Sequence, residues 1–446
     1  MTTQSRLPSM LAVGAITCGV ALACCAHLQA QEFSPPDPSS IDAGEVHRII
    51  SVLADDDMRG RRAFTEDAER AAAFLAREFE AAGLEPLGGL QSYLQHFAVY
   101  SLQTESSRVV IDGVTLGADQ VMVRAAEASL SWSTGDAPVV VVGPEDSPQE
   151  KVFPLLQGGG NALVLMHPQH QGMFTNLARF FGGASRSLEA GAGGALVLAL
   201  VDASADATYE VEASATIREE PLMNVVGMIP GRRNDEFVLF SAHYDHIGIR
   251  PPVDGDSIAN GANDDASGTT AVVILARYFA QRGTPERTLL FAAFTAEEGG
   301  GYGSRYFSTQ LDPDQVVAMF NIEMIGKPAV EGPNTAWITG FERSSFGELL
   351  QEAVAGTEYS FYPDPYSDQN LFYRSDNATL ARLGVPAHSI STTPIDVDRD
   401  YHRVSDHVET LDMAHLTNTI RAIAMGAERI VAGDATPTRV DPATVN

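Results

Sequence analysis

The first strong pattern along the chain is helical. A helix is predicted over Ile41–Ala54 and a stronger one over Thr65–Ala82. In the second, Ala68, Ala71, Ala72, Leu75 and Phe79 recur at three- and four-residue intervals, and Gly83 supplies a stop. From about Ala118 to Glu219 the texture changes. Short apolar runs at Ala137–Val142, Asn161–Met166 and Gly193–Val201 are separated by glycine-rich turns, as in a small β-rich unit. From Pro221 onward strands and helices alternate. Strands are predicted at Glu236–Ala242, Thr288–Thr295, Val316–Ile322, Ala336–Thr339 and Pro386–Ser391, and helices at Gly268–Arg282, Phe346–Ala355 and Met413–Val431. This alternation implies an α/β fold, a mostly parallel mixed sheet flanked by helices on both faces, with a smaller β-rich domain inserted.

The implied organisation is a leader over residues 1–30, a Pro/Ser-rich linker over 31–40, and an α/β domain over 41–117 and 220–433. The insert covers 118–219, and a polar tail over 434–446 is expected to be disordered. Arg6, the apolar run Leu7–Ala26 and the site Leu28-Gln29-Ala30 read as a signal peptide, and hence as a periplasmic or secreted protein. A lipid anchor at Cys24 or Cys25 is the alternative there, and no membrane span is expected. All three cysteines (Cys18, Cys24, Cys25) fall in this leader, which excludes cysteine ligands or a cysteine nucleophile from the remainder. The net charge of −29 argues against nucleic acid or an anionic membrane as partner, because both are polyanions.

Ligand sites in open α/β sheets gather beyond the carboxyl ends of the strands. Four predicted strands run into Ser241-Ala242-His243-Tyr244-Asp245-His246, Ala296-Glu297-Glu298-Gly299-Gly300, Asn321-Ile322-Glu323-Met324 and, through a loop, Asp400-Tyr401-His402. A turn at Gly261-Ala262-Asn263-Asp264-Asp265-Ala266-Ser267-Gly268 opens the intervening helix. Two histidines and three carboxylates on one rim suit a borderline cation such as Zn²⁺, and could hold two ions if one carboxylate bridges.

These runs, with Tyr373-Arg374-Ser375-Asp376 and Asp400-Tyr401-His402-Arg403-Val404-Ser405-Asp406, resemble the M28 family of zinc peptidases. That family contains two-zinc aminopeptidases and glutamate carboxypeptidases, and glutaminyl cyclases are its relatives. The resemblance covers Pro221–Val431, with a weaker likeness at Leu53–Gly60 and Leu84–Gln95. It implies that His243 and Glu323 bind one zinc, that Glu298 and His402 bind the other, and that Asp264 bridges. Glu297 would be the general base, Asp245 would orient His243 through its carboxylate, and the Asp264–Asp265 peptide would be cis. Arg374, Ser375, Asp376 and Tyr401 would line the substrate pocket, and the substrates would be peptides cleaved at the N-terminus. Gly-Ala-Gly-Gly-Ala-Leu-Val at 191–197 resembles the protease-associated insert of such enzymes. Two departures stand out. Glu323 replaces the usual aspartate, and Asn377 replaces a histidine that is not normally a ligand.

Taken alone, several of these residues have plainer readings. Glu297-Glu298 is an acidic pair in solvent, Asp264-Asp265 a helix cap, and His246 a packed or hydrogen-bonded residue near the rim. Arg59-Gly60-Arg61-Arg62 reads as a solvated or ion-paired cluster. The sequence has no Gly-x-Ser-x-Gly elbow and no phosphate-binding glycine loop free of acidic neighbours. A carboxypeptidase or dipeptidase, a glutaminyl cyclase and a non-catalytic binding protein remain open as alternatives.

Overall fold

The computed structural model describes residues 32–445 apart from 36, 159 and 192. The signal-peptide reading and the cysteines lie outside the described residues. The first helix, Ala43–Leu53, is capped by the Asp42 carboxylate, which accepts from the Gly44 and Glu45 amides. It buries Val46, Ile49, Ile50 and Leu53, one stripe of a 3.6-residue period. The second, Glu66–Ala82, buries the predicted stripe and ends at Gly83, whose φ of 81° is the left-handed conformation that stops a helix.

Both helices pack on a central mixed sheet. Its strand order is Ser360–Pro363, Thr335–Ile338, Ala387–Ser391, Val316–Ile322, Arg233–His243, Arg287–Phe294, Tyr209–Ile229, Leu94–Ile111 and Val114–Thr115. The four strands from Ala387–Ser391 to Arg287–Phe294 are mutually parallel. Residues Arg287–Phe294 are buried throughout, as expected of a strand covered on both faces. Helices Gly268–Ala280 and Met413–Val431 join the first two on one face, while Tyr302–Ser308 and Asn377–Ala381 cover the other. Phe240 sits at the centre of the first layer. Its ring stacks on Phe291 at 5.3 Å and on Phe320 at 4.9 Å, with Phe279 at 5.4 Å.

A second sheet, in the order Val121–Arg124, Leu196–Leu200, Ala162–Met166 and Val139–Val142, has its own core around Leu163, Leu165 and Val197. It carries two helices that the β-rich texture concealed, Pro148–Gly158 and Gln171–Phe181. The join to the main sheet is a long antiparallel ribbon. Leu94–Ile111 pairs with Tyr209–Ile229 from Leu94 opposite Val225 to Ile111 opposite Tyr209. One continuous strand therefore crosses the boundary drawn between 219 and 220, because the change of texture falls inside an element.

The tail is a correction as well. Residues read as disordered are packed: Val440 is 1 % exposed, its amide donates to Gly384, and Arg439 donates to the Val316 carbonyl. Val440 and Val445 are widely spaced apolar anchors in an otherwise polar segment, too sparse to show as a period. Among the described residues, no helix is long and apolar enough to cross a membrane.

The ring cluster yields a stability test. Phe240→Ala should lower unfolding free energy by about 3–5 kcal/mol in urea titration, the usual range for emptying a packed aromatic site. A loss below about 1 kcal/mol would show that the layer does not depend on this ring.

Candidate metal centre

The parallel strands end on one rim, and their last residues face a common point. His243 closes its strand, and its Nε2 lies 3.3 Å from Asp264 Oδ1 and 3.3 Å from Glu323 Oε1. Across the shared Asp264, His402 Nε2 lies 3.1 Å from Asp264 Oδ2 and 3.1 Å from Glu298 Oε2. All five predicted donors are thus brought together, with the two oxygens of Asp264 facing different partners.

Backbone clamps set these positions. The Asp264–Asp265 peptide is cis. Asp265 faces away from the rim and accepts from the Gly268 and Met324 amides at 3.0 Å each, tying the Asp264 turn to the Glu323 strand. Asp406 accepts from the Asn263 amide at 2.9 Å and the Asp264 amide at 3.1 Å. Its place in the His402 motif gives no sequence signal for this bracing role. Arg61 is the other omission. Instead of a solvated cation it is fully buried, and it donates to the carbonyls of Tyr244, Leu53, Asn260 and Gly261. Its neighbours Gly60 and Arg62 gave no sign of this, since only the fold brings those four carbonyls together.

Two predicted roles change. His243 Nδ1 is held by the backbone carbonyl of Asp245 at 3.1 Å, while the Asp245 carboxylate is 3.9 Å away, beyond hydrogen-bonding distance. That carboxylate instead accepts from the Glu297 amide at 3.1 Å, so it positions the Glu297 backbone. Asp376 does not line the cleft but is buried behind it. Ser375 donates to Glu323 Oε2 at 2.7 Å, and Tyr401 stacks on His402 with centroids 3.9 Å apart. Arg374, Ser375 and Tyr401 do line a pocket beside Glu323, whose apolar walls are Met324, Trp337, Leu371 and Ile395.

Electrostatically the site is crowded with buried carboxylates. Burial pushes Asp245 up to about 7 and Asp376 and Asp406 up to about 6. It also drives Glu297 and Asp265 well above the ordinary carboxylate range. Burial would lower His402, but its contacts with Asp264 and Glu298 prevail and raise it to about 10. Asp264 is held well below its usual value, burial notwithstanding, by His246, His243 and His402.

Whether a cation fits can be judged from the donors themselves. Two groups bound tetrahedrally at about 2.0–2.2 Å from a zinc stand about 3.3 Å apart, and the His243 set matches that spacing. Asp264 Oδ2 and Glu298 Oε1 are buried without aligned hydrogen-bond partners. Orphaned oxygens of this kind are costly unless something positive completes them.

Residues 224–427 match the profile of Peptidase family M28. Over that segment the chain is similar to M28 peptidases. Leucine aminopeptidase 1 of Ajellomyces dermatitidis is 29% identical over 208 residues, which is 43% of this chain and 52% of that protein. Leucine aminopeptidase 1 of Pyrenophora tritici-repentis is 27% identical over 213 residues, 44% of this chain and 53% of that one. The chain therefore spans about half the length of these curated relatives. Solved structures share the fold. An aminopeptidase from Aneurinibacillus sp. strain AM-1 superposes with a TM-score of 0.53 at 15% identity, covering 92% of this chain and 97% of its own. BSAP, a zinc aminopeptidase from Bacillus subtilis, gives 0.54 at 17% identity, covering 89% and 97%. All five predicted donors lie within the M28 match.

The pKa directions make a pH test. Asp245, Asp376 and Asp406 have raised folded values, so the metal-free folded chain holds protons that the unfolded chain releases from about pH 4 upward. Its stability therefore falls as pH rises through about 4 to 7, and the raised His402 extends the fall above its ordinary value. A zinc bound at this rim would compete with protons for the carboxylate and imidazole donors and would offset the neighbouring buried charge. The rise in Tm on adding zinc to chelator-stripped protein should grow from about pH 5.5 to about pH 8. Thermal scans showing a flat or shrinking zinc effect would contradict this electrostatic picture.

Proposed function

We propose that the protein is an exported two-zinc aminopeptidase that releases N-terminal residues with apolar side chains from peptides. The observation that carries this reading is the division of Asp264 between two donor sets, Oδ1 toward His243 and Glu323 and Oδ2 toward His402 and Glu298. A carboxylate so shared suits a pair of cations about 3.5–4 Å apart. His243, Asp264 and Glu323 would hold one zinc, and Asp264, Glu298 and His402 the other. When bound, such a pair lowers the pKa of water toward about 7 and polarises a peptide carbonyl.

The protein's own groups do the rest. Glu297 is anchored through its amide by Asp245, which fixes its backbone beside the rim where a proton-transfer group is needed. Glu297 takes a proton from the attacking water as the new C–O bond forms. It then delivers that proton to the leaving amine as the C–N bond breaks. The acidic rim around Glu323 and Glu298 suits a free ammonium, and the Trp337, Leu371 and Ile395 walls suit a side chain of about leucine size. Export rests on the Arg6 and Leu7–Ala26 leader pattern. Peptides are the proposed substrates.

A second reading has one observation behind it. Arg374 is exposed at the pocket wall, within 3.5 Å of Tyr401 Oη, where a cation could receive a C-terminal carboxylate. A substrate panel separates the two. Leucyl, methionyl and phenylalanyl anilides should be cleaved about 10–200-fold faster than aspartyl or lysyl ones, and N-acetylated peptides should resist. Release of C-terminal residues from N-blocked peptides would instead favour the carboxypeptidase reading. Glu297→Gln should retain zinc while lowering kcat by about 10²–10⁴-fold; undiminished turnover would remove Glu297 from the mechanism.

A further inference from the structure

His246, three residues beyond His243, was expected to pack or hydrogen-bond near the rim. It does neither in the ordinary way. Its Nδ1 lies 2.9 Å from Glu298 Oε1 and 3.7 Å from Asp264 Oδ2. The ring is fully buried, and neither ring nitrogen makes an aligned hydrogen bond. The facing oxygens, Glu298 Oε1 and Asp264 Oδ2, are likewise buried without partners. A histidine that merely oriented Glu298 would point an N–H along the line to the oxygen. At 2.9 Å without that alignment, both atoms aim at a third point between them.

His402 aims at the same point from the other side. Its Nε2 is 3.1 Å from Asp264 Oδ2 and 3.1 Å from Glu298 Oε2. The two ring centroids are 5.8 Å apart with planes at 61°, an edge-on and not a stacked arrangement. The separations of 2.9, 3.1, 3.1 and 3.7 Å scatter around the roughly 3.3 Å expected between donors of one tetrahedral zinc. The imidazole is also seated for this aim. The His246 amide donates to the Arg61 carbonyl, and the ring lies so close over Gly261 that a Cβ there would come within 2.5 Å of its Cγ. Gly261 has a φ of 60°, so the cradle needs glycine for conformation as well as for space.

We infer that His246 Nδ1 is a ligand of the Glu298-side metal, which is then held by four protein residues: His246, His402, Asp264 and Glu298. The His243 side has three: His243, Asp264 and Glu323. The pair is therefore asymmetric. A closed four-donor site retains its ion, whereas a three-donor site keeps a position for water or substrate and exchanges more readily. This inference rests on the zinc reading above and adds to it the different tasks of the two ions.

Cobalt titration of the chelator-stripped protein tests it without recourse to activity. Wild-type protein should take up two Co²⁺ ions in separate steps, the tighter giving the intense visible bands of four-coordinate cobalt. His246→Ala should weaken the tighter step by at least about 100-fold, as expected for losing a ligand and not a neighbour of one, with loss of those bands. His246→Asn, which preserves the volume and a polar atom, should shift the same step in the same direction and guards against an unfolded alanine variant. If both variants bind two ions with wild-type affinities and spectra, His246 is no ligand while the two-metal reading stands. If the wild-type protein binds no cobalt and no zinc by mass spectrometry, the metal reading itself falls.

Discussion

Buried negative charge is the constraint around which this molecule is organised. Asp245, Asp264, Asp265, Asp376 and Asp406 are buried around one rim, and Glu297, Glu298 and Glu323 join them half-buried. Like unit charges 4 Å apart repel by about 4 kcal/mol at the effective dielectric of a protein surface, and desolvation adds to that. The fold meets part of this cost from behind, with Arg61. Its guanidinium is buried deeply enough to lower it to about 10, yet Asp406, Asp245, Asp264 and Asp265 hold it charged. The front of the rim has only imidazoles. Burial of so many carboxylates together is why Asp245, Asp376 and Asp406 sit above their ordinary values. A site with this charge suits an incoming positive ion.

The same groups divide into those that face the rim and those that brace it. Asp264, Glu298 and Glu323 present oxygens outward. Asp265, Asp406 and the Asp245 carboxylate spend theirs on backbone amides of the adjacent turns. Lys327 supports the His402 loop by reaching Asp398 and Asp400, and Ser405 donates to Asp400 as well. Each outward donor is thus supported by a hydrogen-bonded neighbour in the chain, and loops that would otherwise be mobile are pinned to the ends of rigid parallel strands. Donor positions held in this way match a tetrahedral spacing, the kind of support a precise site requires.

Much of this was legible along the chain because parallel strands covered on both faces read as apolar runs. Val316–Ile322 and Met413–Val431 appear in the structure with the bounds predicted for them. Three donors were legible for the same reason, since His243, Glu298 and Glu323 end or closely follow such runs, whereas Asp264 and His402 stand in a turn and a loop and were legible from their motifs. What escaped was everything decided by contacts distant in sequence. The ribbon Leu94–Ile111 and Tyr209–Ile229 has an exposed stretch at Glu105–Arg108, so its polar middle hides its continuity. Arg61 looked like any surface arginine, because the carbonyls that receive it come from residues 53, 244, 260 and 261. Asp245 was given the right neighbour and the wrong atom. Spacing reports that two residues are near one another, and it is silent on whether the carbonyl or the carboxylate makes the contact.

The inserted region reaches toward the site through a short connection. Ser185–Ser187 leaves that region and pairs with the ribbon at Tyr100–Leu102. Arg186 is bound there by Glu220, its guanidinium lies 4.4 Å from the Phe64 ring centroid, and its carbonyl accepts from Tyr302 Oη at 3.0 Å. Tyr302 ends the glycine-rich loop that begins at Glu297, and the Gly301 amide closes that loop on the Ala296 carbonyl. Gly300 and Gly301 both have positive φ, which lets the chain reverse within so few residues. A loop rich in glycine has high conformational entropy when free, so it holds Glu297 and Glu298 in place only if its far end is fixed. The inserted region supplies that fixed end. Its contact with Tyr302 restrains the segment carrying both glutamates, which ties the order of the reactive rim to a domain that contributes no donor to it.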